Sequence, residues 1–217
     1  MIYSTAFLSK PSSLFWSAKE LANIQTRYAQ KGISISEVAL CGSKDFVEWR
    51  HYPKNDLMDL ESGYEFYYHS HPSNEMLNGE HGHFHLFKRD VKNTNQFFHL
   101  IGIALNQKGL PVRIFTTNQW VTGESLVPAK TVLKALKGFN ANVKGRMGPL
   151  VRWLSSLTRV FFAEMALVIH ERDQKIKKIQ LQLGSLSMAL SAQNHPVLSE
   201  CEIHLMNRLS QLLLVTN

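Results

Sequence analysis

Alternation and helical spacing divide the chain into a leading helix, a run of strands and a helical tail. Leu14, Ala18, Leu21 and Ala22 recur at helical spacing, so residues 14–30 read as an amphipathic helix. Ser12 and Ser13 are placed to cap it and Gly32 to end it. Residues 46–52 read as a strand ended by Pro53 and the turn-like Lys54-Asn55-Asp56, and residues 65–71 and 81–88 as the next two strands. Residues 97–105 form a near-continuous apolar run suited to a buried central strand. The turn Asn106-Gln107-Lys108-Gly109 leads from it into residues 111–117, which should pair back as a hairpin.

Beyond Pro128 the pattern turns helical. Residues 129–138 are a short amphipathic segment, residues 150–183 are helical with a break expected near Ser155-Ser156, and residues 198–214 are apolar at helical spacing. The predicted class is α+β: an antiparallel β-sheet meander, an N-terminal helix on one face, and C-terminal helices. The expected organisation is a sheet domain over 1–128 and a helical region over 129–217 packed on it as one compact unit.

Against this frame one segment carries specific chemistry. Five of the 10 histidines fall within residues 69–85, as His69-x-His71 and His81-x-His83-x-His85. Strand side chains alternate between faces with a period of two, so each set should line one face of its strand. Paired as an antiparallel hairpin, the two runs bring the imidazoles to one surface, while Phe84 and Leu86 point into the core. Imidazole is the commonest ligand for zinc, iron, copper and nickel, so His69, His71, His81, His83 and His85 are the candidate metal ligands. Fe(II) or Zn(II) is the expected ion, with Cu(II) and Mn(II) also compatible. Glu80, beside the second run, is the candidate catalytic group, as a general base or an added ligand. His51 and His99 read as structural, and His170, His195 and His204 lie in the helical region. Past the last predicted strand, Asn118, Trp120, Thr122 and Glu124 are candidates to hold a small polar substrate.

Composition narrows the setting. Hydrophobic residues make up 44% and charged residues 19%, as in an ordinary globular protein. Cys41 and Cys201 form no Cys-x-x-Cys pair, which removes a thiolate metal site and suits a reducing compartment. Residues 1–10 are too short in apolar content for a secretory leader, and the apolar stretch 150–169 is interrupted by Arg152, Arg159 and Glu164. A cytoplasmic protein with no membrane contact is expected. The net charge of +7 lies largely late in the chain, as Lys130, Lys134, Lys137 and the lysines after Arg172. These positions lack the interleaved aromatic platform of a nucleic-acid reader, so solvated helix faces are expected and the partner is a small molecule.

Glu48-Trp49-x-His51-Tyr52-Pro53, Tyr67-Tyr68-His69-x-His71-Pro72, residues 79–85 and residues 115–124 together resemble an uncharacterised bacterial domain family of unknown function, over about residues 14–180. That resemblance implies a bacterial, cytoplasmic origin and supplies no activity. His69-Ser70-His71-Pro72 also resembles the His-x-His-Pro element of JAB/MPN zinc isopeptidases, which implies Glu37 as catalytic glutamate. The serine and aspartate expected next in that pattern are replaced by a stretch holding Gly79, Glu80, Gly82 and His83. The His-x-His pair is similar to that of cupins as well, but Glu80 comes too late for their motif and the strands are too few for a barrel. The leading expectation is a mononuclear non-haem metal enzyme acting on a small molecule. A non-catalytic metal-binding protein and a JAB/MPN-like zinc hydrolase are the alternatives. Because free imidazole titrates near pH ~6.5, metal-derived stability is expected to fade below that value.

Overall fold

A computed structural model describes residues 11–72, 77 and 79–214. The expectation for residues 1–10 lies outside the described residues.

Helix α1 (Pro11–Ala29) begins three residues before its expected start and is followed by the short α2 (Ile35–Ala39). A capping box closes the start of α2: Ser34 Oγ accepts from Glu37 N–H at 3.1 Å, and the Glu37 carboxylate accepts from Ser34 N–H at 2.6 Å. Six strands then build one sheet: β1 (Tyr52–Met58), β2 (Tyr64–His69), β3 (Glu80–Arg89), β4 (Phe97–Asn106), β5 (Pro111–Thr117) and, much later, β6 (Val197–Glu202). They lie side by side in chain order, and every neighbouring pair is antiparallel. Between β5 and β6 come α3 (Gln119–Thr122), α4 (Ala129–Lys137), α5 (Gly148–Val160), α6 (Phe162–Leu183) and α7 (Leu186–Leu190); α8 (Leu205–Leu214) follows β6. The α+β meander with flanking helices is therefore present.

Helices α1, α2, α4, α5, α6 and α8 contribute to the main core on one face of the sheet. Phe66 and Tyr68 of β2 and Phe84 and Leu86 of β3 join Leu21 of α1 and Trp153 of α5 in the main apolar core. Each such fully buried side chain contributes about 1.5–3 kcal/mol. In register, Tyr68 faces Phe84 and Phe66 faces Leu86, while the alternate pairs are His69 with His83 and Tyr67 with His85. A one-residue slip of β3 would exchange its core Phe84 and Leu86 for His83 and His85, so the core fixes which face carries the histidines.

Three expectations are corrected. Residues 46–51 are a loop, and β1 starts at Tyr52 with Pro53 inside it. β1 is an edge strand paired only with β2, so a residue without an N–H is tolerated there. Ser155 and Ser156 are buried within α5, and the helical run breaks instead at Phe161 (φ −110°, ψ 23°), which ends α5 and opens α6. Residues 198–214 are not wholly helical. Their first part is β6, whose Ser199, Glu200 and Glu202 dilute any apolar alternation, and which covers the β5 edge. Among the described residues no helix is long and apolar enough to cross a membrane.

Candidate metal centre

The face of the sheet opposite the main core is lined by polar and aromatic side chains that are nonetheless buried. His69 is 7% exposed, His83 5%, His85 1% and His99 4%. The nitrogens that His69, His83 and His85 offer all lie within 4.8 Å of one another. The triad could hold a metal ion.

Hydrogen bonding sharpens this. His83 Nε2 and His69 Nε2 are 2.8 Å apart, so one ring donates and the other accepts. Whichever tautomers are chosen, the donating ring then keeps an unprotonated Nδ1 and the accepting ring an Nδ1–H. Both Nδ1 atoms are buried without a partner. A buried lone pair with no protein donor is costly, and it is what a cation would take. His85 is oriented from behind: its Nδ1 meets His99 Nε2 at 3.0 Å, and His99 Nδ1 lies 3.4 Å from Thr117 Oγ1. That leaves His85 Nε2 as its available atom, with the outer partner that metal-bound histidines usually have.

Burial keeps the rings neutral and hence competent ligands. It pushes His69 down to about 3, helped by the nearby His71 and His51, and holds His83 and His85 well below the ordinary histidine value. His99 is likewise pushed down to about 3, by burial and then by the Arg172 charge.

Two β-bulges decide which histidines belong. Register shifts between Glu80 and Gly82, so His81 leaves the alternation. Its ring stacks on Phe46 at 4.5 Å and its Nδ1 bonds the core residue Tyr68 Oη at 2.8 Å, on the helix-covered face. The expected sharing of one face by His81, His83 and His85 thus fails at His81. The second shift, at Leu86 and Phe87 opposite Ile101 and His99, turns His99 toward the histidine face although Ile101, two residues on, is in the core. His71 lies just past the end of β2, its ring 5.0 Å from those of both His69 and His83 and stacked on Trp49 at 4.3 Å.

The same slip swings Glu80 to the site side, where Arg113 of β5 grips it bidentately at 2.7 and 3.1 Å; Arg113 also donates to Glu200 at 2.7 Å. Both carboxylate oxygens of Glu80 are therefore engaged. Of the four substrate candidates, Trp120 and Thr122 line cavities beside the histidines, whereas Asn118 and Glu124 stand behind them. Asn118 is fully buried, caps α3 by accepting from Gln119 N–H and donates to Ala189 O at 3.0 Å. Glu124 accepts from Thr122 Oγ1, and burial pushes its carboxyl up to about 7. Glu37, which the isopeptidase resemblance requires at the metal, is exposed and committed to the α2 capping box.

Arg113, Phe115 and Thr117 also contribute and follow period-two alternation on β5. His99 escapes that alternation because of its bulge. Gly102 sits between His85 and Phe115 in the register, and a methyl group there would come within 2.5 Å of the Phe115 ring. Its bare backbone lets that ring lie 5.3 Å from His83 and 5.7 Å from His85. Gly102→Ala is expected to lower stability by about 1–3 kcal/mol through overpacking and to displace Phe115. Denaturant melts would check this; an unchanged midpoint would mean the ring moves aside freely.

Two cavities meet at the cluster. One, of about 290 Å³, is bordered by His51, Asp56, Tyr67 and His69; the other, of about 480 Å³, reaches His83 and His85. No curated protein and no solved structure matches the chain. A family match spans residues 16–203, and by it the protein belongs to the family described as domain of unknown function DUF6969.

Proposed function

We propose that the protein is a mononuclear, metal-dependent enzyme whose ion, zinc or iron, is held by His69, His83 and His85 and acts on a small molecule. The observation that carries this is the buried, neutral three-imidazole cluster, in which one nitrogen each of His69, His83 and His85 lies within 4.8 Å of the others and no carboxylate or other group among the described residues satisfies His69 and His83 Nδ1. Three protein ligands leave a position open for water or substrate, the arrangement of catalytic rather than closed structural sites. The adjoining cavity of about 480 Å³ supports the catalytic form over a purely storage role, since a saturated ion needs no cavity beside it. When bound, the ion would act as a Lewis acid toward a donor atom in that cavity. His99 would hold His85 in the ligating tautomer, and Arg113 would hold the Glu80 carboxylate fixed at the rim.

The Glu37-based hydrolase reading loses its support, because that carboxylate caps its own helix. Elemental analysis of protein purified without added metal or chelator tests the proposal: close to one equivalent of a single transition metal is expected. Metal-free protein that also fails to take up zinc or ferrous iron would overturn it.

A further inference from the structure

The larger cavity at the histidines has an unusual wall. Trp49 is 55% exposed and Trp120 41% exposed, and both border it together with the buried Phe115. Two half-exposed tryptophans and a phenylalanine on one cavity form a contiguous apolar patch of the kind that marks a ligand groove. Trp49 is also held at φ +64°, a conformation that L side chains rarely adopt; its N–H donates to Ser70 O at 2.9 Å and its ring stacks on His71. Trp120 is anchored at its far end, where Nε1 donates to Ala192 O at 3.0 Å. Both rings are thus fixed in place before any ligand arrives.

The polar groups of the cavity point the same way. Among the described residues lining it, Glu80 and Arg113 are the charged side chains, and they are bonded to each other. Arg113 is further occupied by Glu200 and lies 4.5 Å over the Phe115 ring. No side-chain charge is left over to pair with a charged ligand, and away from the histidines few hydrogen-bonding groups remain to satisfy the hydroxyls of a sugar. We infer that this cavity takes a flat, uncharged aromatic molecule of the phenol class, its ring against Trp49 and Trp120 and its oxygen directed at His83 and His85. The inference rests on the metal reading for the oxygen's partner; the ring slot stands on the tryptophans alone. Offset or edge-on ring contacts and the area they bury supply the selectivity.

Calorimetric titration of the full chain as purified, with its metal content measured on the same sample, tests this. Phenol is the probe, cyclohexanol its non-aromatic counterpart of similar size, and methyl glucoside the sugar. Phenol should bind at least about tenfold more tightly than either, a ratio in the range ring contacts provide. Trp120→Ala should weaken phenol by about tenfold while Trp120→Phe retains most of the affinity. Trp49→Ala should weaken it in the same direction, and circular dichroism would show that the variants are folded. Absence of phenol binding, equal affinity for cyclohexanol, preference for the glucoside, or indifference to both tryptophan replacements would overturn the inference. Metal present with no ring preference sinks the inference and spares the metal reading. A tryptophan-dependent ring preference in protein that carries and accepts no metal does the reverse.

Discussion

Replacing His69 and His83 together by alanine is expected to abolish stoichiometric metal binding. The two rings meet through Nε2 at 2.8 Å and both offer a nitrogen to the buried triad with His85, so both belong to whatever occupies the site. Losing two of three ligands leaves His85 alone, and a single imidazole competes poorly with water and buffer for a divalent ion. Loss of one outer-shell partner already costs roughly 10–100-fold in metal affinity, so the double ligand loss should exceed that by a wide margin. His81→Ala is the informative control. Its ring is stacked on Phe46 and bonded to Tyr68 on the opposite face of the sheet. That variant should lose about 1–2 kcal/mol of stability from the broken hydrogen bond and contact, yet keep its metal. Metal analysis of the two variants side by side separates misfolding from ligand loss. Full occupancy in the double variant, or an empty site in His81→Ala with the fold intact, would assign the ligands wrongly.

That contrast also shows how far the chain can be read unaided. β2 to β5 and the histidine hairpin are legible because apolar residues at every second position must face a core. Phe66, Tyr68, Phe84 and Leu86 do so, and they carry His69, His83 and His85 to the other face. Bulges are not legible in this way. Each adds one residue to a strand, and period-two counting then assigns the wrong side to everything at the bulge. Hence His81 reads as sharing the face of His83 and His85 but lies half-buried on the other one, while His99, read as structural, is a buried, hydrogen-bonded support behind His85. The segment at 46–52 misleads for another reason. Its aromatics suit a strand, but Trp49 adopts a positive φ and Phe46 serves as a lid on Tyr68 and His81. β6 is six residues of mixed polarity, and its pairing partner lies about eighty residues earlier, so local pattern has nothing to signal it.

The structure also changes what acid should do. Counting free imidazoles alone, metal-derived stability would fade as pH falls through about 6.5, because protons and metal compete for the same nitrogens. In the folded chain, however, burial already holds His69 and His99 down to about 3 and His83 and His85 well below the ordinary value. The folded metal-free protein therefore carries His69 and His99 neutral from pH ~8 to ~4, with burial displacing His83 and His85 in the same direction, and metal displaces few protons from the cluster. The unfolded chain does protonate them near pH ~6.5. The sign follows: the unfolded state binds more protons, so stability is fully present above about pH 6.5 and is lost as pH falls toward the folded values. Each such histidine contributes about 1.4 kcal/mol per pH unit, so even two of them remove about 3 kcal/mol per unit. Against a total of about 5–15 kcal/mol, acid unfolding should arrive well above pH ~3. Metal adds an increment set by its concentration and affinity for the neutral site, so it should shift the curve without changing its slope. Melting temperatures of metal-free and reconstituted protein at several pH values should fall together, with a near-constant gap between them. A gap that closes as pH passes about 6.5 would show the empty site to be solvated and its imidazoles ordinary, contrary to the buried cluster described above.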